Sequence, residues 1–196
     1  MPNASPYVSR GGLKLEAALD AFDFDPAGLT CADLGCSVGG FTDCLLQRGA
    51  AHVFAVDTAY GQLAWKLRQD ERVTVLERTN AIHFDPRSKI EHFPGCQLVV
   101  LDLGWTTQNK ALPVARKWLP EGAGHVISLI KPHYESGGKA MRGGRKGVLP
   151  DDEAEAILRR ILGELPDLGA TVLGHVESPI RGGKGGNVEY LALLKF

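Results

Sequence analysis

Short apolar runs alternate with amphipathic stretches along nearly the whole chain. The runs over 29–34, 51–56, 73–77, 96–101 and 125–130 are strand-length and bounded by polar or glycine residues, so they predict buried strands. Two more strands are predicted over 170–176 and 188–196. Between them, helices are predicted over 13–22, 40–48, 62–70, 112–119 and 151–165. The last is the clearest. Pro150 stands at its entrance, Asp151, Asp152 and Glu153 fill its first turn, and Ile157, Leu158, Ile161, Leu162 and Leu165 form its apolar stripe. Strands alternating with helices imply a parallel sheet covered on both faces. The connection over 177–187 is too short for a crossover helix, so the final strand should run antiparallel. The expected fold is α/β and Rossmann-like: seven strands, mostly parallel, with helices on both faces and an antiparallel last strand. One domain is expected over 1–196, with an N-terminal arm at 1–12.

Composition narrows the class. Of 196 residues, 44% are apolar and 23% charged, which excludes a disordered or fibrous chain. No apolar stretch approaches the ~20 residues of a membrane helix. Residues 1–10 lack an apolar signal core, so a cytoplasmic protein without a membrane partner is expected. The 22 basic and 23 acidic residues leave a net charge of -1. Any nucleic acid must then be gripped by a local patch or through a partner. Cys31, Cys36, Cys44 and Cys96 form no C-x-x-C pair and have no histidine at finger spacing, so reduced thiols and no metal site are expected. Glycine is the outlier: the 24 residues gather in clusters, which points to backbone-lined sites.

The most informative cluster is Asp33-Leu34-Gly35-Cys36-Ser37-Val38-Gly39-Gly40-Phe41, where the first strand turns into a helix. Glycines there let backbone approach a ligand, and the helix start offers free N–H groups. Asp57 ends the next strand, where a carboxylate can accept both hydroxyls of a ribose. The spacing is G-x-x-x-G-G rather than the dinucleotide G-x-G-x-x-G. It suits S-adenosyl-L-methionine, which has no pyrophosphate to cradle. Asp33, Gly35, Ser37, Gly39, Gly40, Phe41, Asp57 and Asp102 are the candidate cofactor residues. Two other readings stay open here. One is a bare strand-to-helix turn. The other is a G-x-S-x-G nucleophile elbow with Ser37, Asp102 and His175 as a triad, although His175 lies inside an apolar strand pattern.

Asp102 and Lys131 each end a predicted central strand, where an open parallel sheet lines its ligand crevice. Burial would loosen the Lys131 proton and nearby carboxylates would tighten it; a lysine tuned down can act as a general base. A strand-end salt bridge is the plainer alternative.

Ser9-Arg10-Gly11-Gly12-Leu13-Lys14-Leu15, the glycine loop and Ala59-Tyr60-Gly61-Gln62-Leu63-Ala64-Trp65-Lys66-Leu67-Arg68 closely resemble the hemolysin A-type (TlyA-like) branch of the FtsJ-like RNA methyltransferases. Glu77-Arg78-Thr79-Asn80, Leu129-Ile130-Lys131-Pro132 and Ser178-Pro179-Ile180 extend the resemblance over nearly the whole chain. It implies a class I methyltransferase fold and S-adenosylmethionine-dependent methylation of ribosomal RNA at the ribose 2′-hydroxyl. The family's Lys-Asp-Lys-Glu tetrad maps onto Lys14, Asp102, Lys131 and Glu189. By the resemblance Lys131 activates the hydroxyl, while Lys14, Asp102 and Glu189 hold its charge state and steer the ribose. Asp57 then holds the cofactor ribose, Gly35 and Gly39 its amino acid end, and Asn80 and Ala81 flank its adenine.

Relatives of this type usually carry a small RNA-binding domain first. Here Tyr7-Val8-Ser9-Arg10 begins at the seventh residue, so that domain is expected to be missing and a partner protein to supply RNA affinity. Leu103-Gly104-Trp105 replaces the family's usual Ser-Phe-Ile type run. Arg10, Lys139, Arg142, Arg145, Lys146, Arg181 and Lys184 are the expected phosphate contacts, and Trp105 and Tyr134 the expected base-stacking rings. Solvated surface charge is the alternative for the basic loops. A cofactor-binding module acting through a partner and a small-molecule methyltransferase are the competing functions.

Overall fold

The computed structural model describes residues 5–137, 148–182 and 186–196. Its strands are β1 (Thr30–Leu34), β2 (His52–Val56), β3 (Val73–Leu76), β4 (Leu98–Leu101), β5 (His125–Ile130), β6 (Thr171–Glu177) and β7 (Tyr190–Lys195). They form one sheet in the order β3-β2-β1-β4-β5-β7-β6. β1 through β5 pair in parallel, and β7 pairs antiparallel with both β5 and β6. This is the expected sheet. The chain steps outward from β1 through β2 to β3, then returns to place β4 on the other side of β1. Such a switch point opens a crevice at the carboxyl ends of the strands.

The helices are α1 (Gly11–Ala21), α2 (Gly40–Gln47), α3 (Trp65–Arg68), α4 (Pro86–Lys89), α5 (Gln108–Trp118), α6 (Pro132–Glu135) and α7 (Asp151–Glu164), the last followed by a 3-10 turn at Leu165–Leu168. Strand periodicity sorts the core into two layers. Cys31, Val53, Val100 and Ile127 face Leu15 and Leu19 of α1, Leu45 of α2 and Leu67 of α3. Ala32, Phe54, Val99 and Val126 face Leu112 and Trp118 of α5 and Leu158 and Ile161 of α7. Among the described residues no helix is long and apolar enough to cross a membrane.

Four elements differ from expectation. The helix predicted over 62–70 shrinks to α3, because the Ala64 N–H donates to the Val38 carbonyl at 3.0 Å and ties the preceding stretch to the glycine loop. α5 starts at Gln108, ahead of the expected 112, with Pro113 inside it. α4 and α6 are single turns, too short to leave a periodic signal. Asp85 caps α4, its carboxylate accepting the Arg87 N–H at 3.1 Å.

Candidate active site

The polar residues picked out at strand ends converge on one edge of the sheet. Asp33 lies in β1, one residue from its end, while Asp57, Asp102 and Lys131 follow β2, β4 and β5. Parallel strands put these positions side by side. β7 runs the other way, so its beginning reaches the same edge: Tyr190 pairs with Ile130, and Glu189 precedes it. α1 packs against α2 on one face and delivers Lys14.

Two adjoining clefts lie along this edge. One of about 260 Å³ is bordered by Arg10, Lys14, Asp33, Gly40, Phe41 and Arg181. The other, about 490 Å³, is bordered by Asp57, Asn80, Ala81, Trp105 and Lys131. Gly35, Ser37 and Asp102 border both. Together they fall in the size range of small-molecule sites. Thr58, Thr79 and Ile82 also border the larger cleft, and the sequence reading missed them. Their only signal was adjacency to Asp57, Asn80 and Ala81.

Asp33 is fully buried. Its Oδ2 accepts the Thr42 N–H at 2.9 Å and the Thr42 hydroxyl at 2.7 Å, whereas Oδ1 has no hydrogen-bond partner among the described residues. Burial pushes this carboxyl up to about 7; the Thr42 bonds oppose that and the charges of Asp102 and Asp57 add to it. Asp33 borders the smaller cleft, and an orphaned carboxylate oxygen there fits an arriving ammonium. Asp57 is held by two backbone donors, Ser37 N–H to Oδ2 and Ala59 N–H to Oδ1, both at 2.8 Å. Each oxygen keeps acceptor capacity for a ribose hydroxyl.

The glycines divide by role. At Gly35, φ is +92°, and a Cβ would meet the Asp102 carbonyl oxygen at 2.4 Å, so backbone crosses backbone where the clefts join. Gly39 does not border either cleft; a Cβ there would strike Leu67 Cδ1 at 2.3 Å. It serves the packing of the loop on α3.

Lys14 and Glu189 form a buried ion pair, and Lys131 pairs with Asp102 beside the cleft. Burial loosens the Lys131 proton, but Asp102, with Glu189 and Tyr134 beyond, outweighs it and holds the ammonium above the ordinary lysine range. Of the two opposing effects expected at this lysine, the carboxylate prevails, because the ion partner is in direct contact.

The nucleophile elbow does not assemble. Asp102 belongs to Lys131, and His175 sits mid-strand in β6, opposite Ala192 of β7. β6 lies four strands from β1, roughly 19 Å at ~4.8 Å per strand. Among the described residues no group of His, Cys, Asp or Glu could hold a metal ion. The four cysteines are free and buried, and burial raises all four thiols.

Of the expected RNA contacts, Arg10 is exposed beside the smaller cleft. Arg181 also borders it but forks onto Asp151 at 2.8 and 2.7 Å. Lys139, Arg142, Arg145, Lys146 and Lys184 lie outside the described residues. Trp105 is 84% exposed with φ of +57°. Its ring stacks on Tyr134 at 5.0 Å, and Lys131 Nζ lies 5.5 Å from the Tyr134 centroid.

The sheet order and the acidic strand ends around a glycine loop define a Rossmann-like methyltransferase. The chain belongs to the FtsJ-like methyltransferase family, whose model matches residues 7–196 and whose methyl donor is S-adenosylmethionine. It is similar to the 16S/23S rRNA (cytidine-2′-O)-methyltransferase TlyA of Mycobacterium tuberculosis (strain ATCC 25618 / H37Rv), 43% identical over 96% of this chain and 68% of that protein. Similar also is YqxC of Bacillus subtilis (strain 168), named a candidate rRNA methyltransferase, 42% identical over 98% of this chain and 66% of that protein. The chain thus spans about two thirds of the length of these relatives. A solved candidate hemolysin from Streptococcus thermophilus superposes with a TM-score of 0.89 at 39% identity, covering 100% of this chain and 69% of that one.

Proposed function

We propose that the chain is an S-adenosylmethionine-dependent ribosomal RNA ribose 2′-O-methyltransferase. The observation that carries this is the placement of two lysine–carboxylate pairs at adjoining clefts: Lys131 and its partner Asp102 border the larger one with Asp57, and Lys14, paired with Glu189, borders the smaller one, which Asp102 also borders. The relatives' names as rRNA cytidine-2′-O-methyltransferases support the substrate class.

The cofactor supplies an activated methyl group on a positively charged sulfur. In this reading Asp57 holds its ribose, Asp33 Oδ1 its ammonium, and Asn80 and Ala81 flank its adenine. Gly35, Ser37, Gly40 and Phe41 shape the amino acid end. Methyl transfer forms one O–C bond, breaks one S–C bond and frees one proton, so the protein mainly has to align three atoms in line. Lys131 is the group placed to reach the 2′-hydroxyl and take that proton. It must first lose its own to solvent. Asp102 opposes that loss, and a nearby cation favours it. The paired Lys14 and Glu189 steer the ribose. The face of Trp105 turned away from Tyr134 is open for a base to stack. Arg10 contacts phosphate, and a ribosomal subunit or a partner protein supplies further affinity.

The test is transfer of radiolabelled methyl to intact ribosomal subunits, total RNA and an RNA-free control. Lys131→Ala should cut the rate by about 10²–10⁴, the span of a positioned proton-transfer group. Equal labelling by variant and wild type would sink the reading.

A further inference from the structure

Glycine is required at a position either because the backbone is left-handed or because no side chain fits. Gly182 is of the second kind. Its φ lies outside the left-handed region, so the backbone would accept any residue. Space would not: a Cβ there would meet Glu189 Oε1 at 2.2 Å and its carboxyl carbon at 2.9 Å. The other carboxylate oxygen, Oε2, is the one that pairs with Lys14. The carboxylate is therefore wedged between the Gly182 backbone and the Lys14 ammonium, and its side chain is only 4% exposed.

The backbone is pinned on both sides, so an added Cβ is met by the Glu189 side chain, whose carboxylate must leave its present seat. The Glu189 carbonyl accepts the Ser178 N–H at 2.8 Å, and Tyr190 is already in register with Ile130 and Glu177. On the other side, the Gly182 N–H donates to the Asn187 carbonyl and its own carbonyl accepts the Gly186 N–H, both at 2.9 Å. The Glu189 charge is also felt at Lys131 and His133. Moving the carboxylate would disturb both lysines at once.

We propose that Gly182 is a positioning residue for methyl transfer: its missing side chain is the space in which Glu189 holds Lys14. The inference rests on the proposed methyltransferase reading, and its test separates the two. Methyl transfer to ribosomal subunits is measured for wild type, Gly182→Ala, Glu189→Asp and the double variant, with melting temperatures and a crystal structure of Gly182→Ala. The single alanine should lower kcat by about 10²-fold, the effect of displacing a reacting-site group by about 1 Å, with the KM for RNA little changed. Glu189→Asp shortens the carboxylate and removes the clash. In that background the alanine should cost less than about 3-fold, the non-additivity expected of residues in contact. If Gly182→Ala fails to fold, Glu189→Asp should restore folding. Losses that multiply, unchanged kcat, or misfolding that Glu189→Asp does not rescue would each overturn the proposal. Should wild type transfer no methyl at all, the enzyme reading fails, and the crystal structure decides the inference. A carboxylate driven off Lys14 upholds it, and a carboxylate still on Lys14 beside the alanine overturns it.

Discussion

Asp33 shows how one side chain can carry both a proposed binding role and a stability cost. Its carboxyl ionises near 3.8 in an unfolded chain and near about 7 in the folded site, because burial penalises the charge. A raised value means the folded state holds the proton more tightly. The stability it contributes is complete below the unfolded value and is lost as pH rises through about 7. Asp33→Asn has no proton to lose. The stability of wild type relative to that variant should therefore fall steadily between about pH 4 and 7. Denaturant melts at stepped pH would check this; a constant difference would refute it. The sequence already placed Asp33, Asp57, Asp102 and Lys131 at strand ends, since apolar runs stop where they begin. It did not reveal the contact that sets the Lys131 proton affinity, because Lys131 and Asp102 are far apart in sequence and meet only through the β4–β5 pairing.

At the scale of elements, long and strongly patterned segments were legible and short or tethered ones were not. β5 falls at 125–130 as expected, and α7 at Asp151–Glu164 is within one residue. α3 was misjudged because a tertiary hydrogen bond from Ala64 to Val38 overrides local helical pattern. α5 was begun late. Its first turn is held by buried polar contacts that no periodicity reports: Gln108 Oε1 accepts the Ser128 hydroxyl at 2.7 Å, and Glu135 Oε1 accepts the Gln108 N–H at the same distance. The other end of α5 carries its main anchor, Trp118, which is fully buried among Phe54, Phe84 and Phe93. Trp118→Ala should destabilise by about 3–5 kcal/mol, as removal of a buried large aromatic does. Thermal or denaturant unfolding measures it. Because Trp118 lies at the end of α5 away from the clefts, cofactor affinity measured by calorimetry below the melting range should be unchanged.

For the whole molecule the near-zero net charge decides how the RNA of the proposed function is met. With 22 basic and 23 acidic residues there is no global attraction, so phosphate must be read by particular cations at the cleft. Arg10 is exposed there, whereas Arg181 is already committed to Asp151. Arg10→Ala should raise the KM for RNA, leave kcat nearly unchanged, and lower the salt slope of RNA binding by about one. An unchanged slope would remove Arg10 from the interface. The fold class was fully legible because strand–helix alternation and one short final connection leave few topologies. The grip on RNA was less so, because most of the basic residues expected to provide it lie outside the described residues.

The placement of β7 has a consequence for how the protein comes into being. β7 is the last strand in sequence, yet it lies between β5 and β6 and carries Glu189 at its head. During synthesis both neighbours emerge before the strand that joins them, and each waits with an open edge. The sheet closes and Lys14 gains its partner in a single late event. A nascent chain stopped short of β7 lacks both the strand that joins β5 to β6 and Glu189, so under the proposed function incomplete copies transfer no methyl by construction rather than by a separate check.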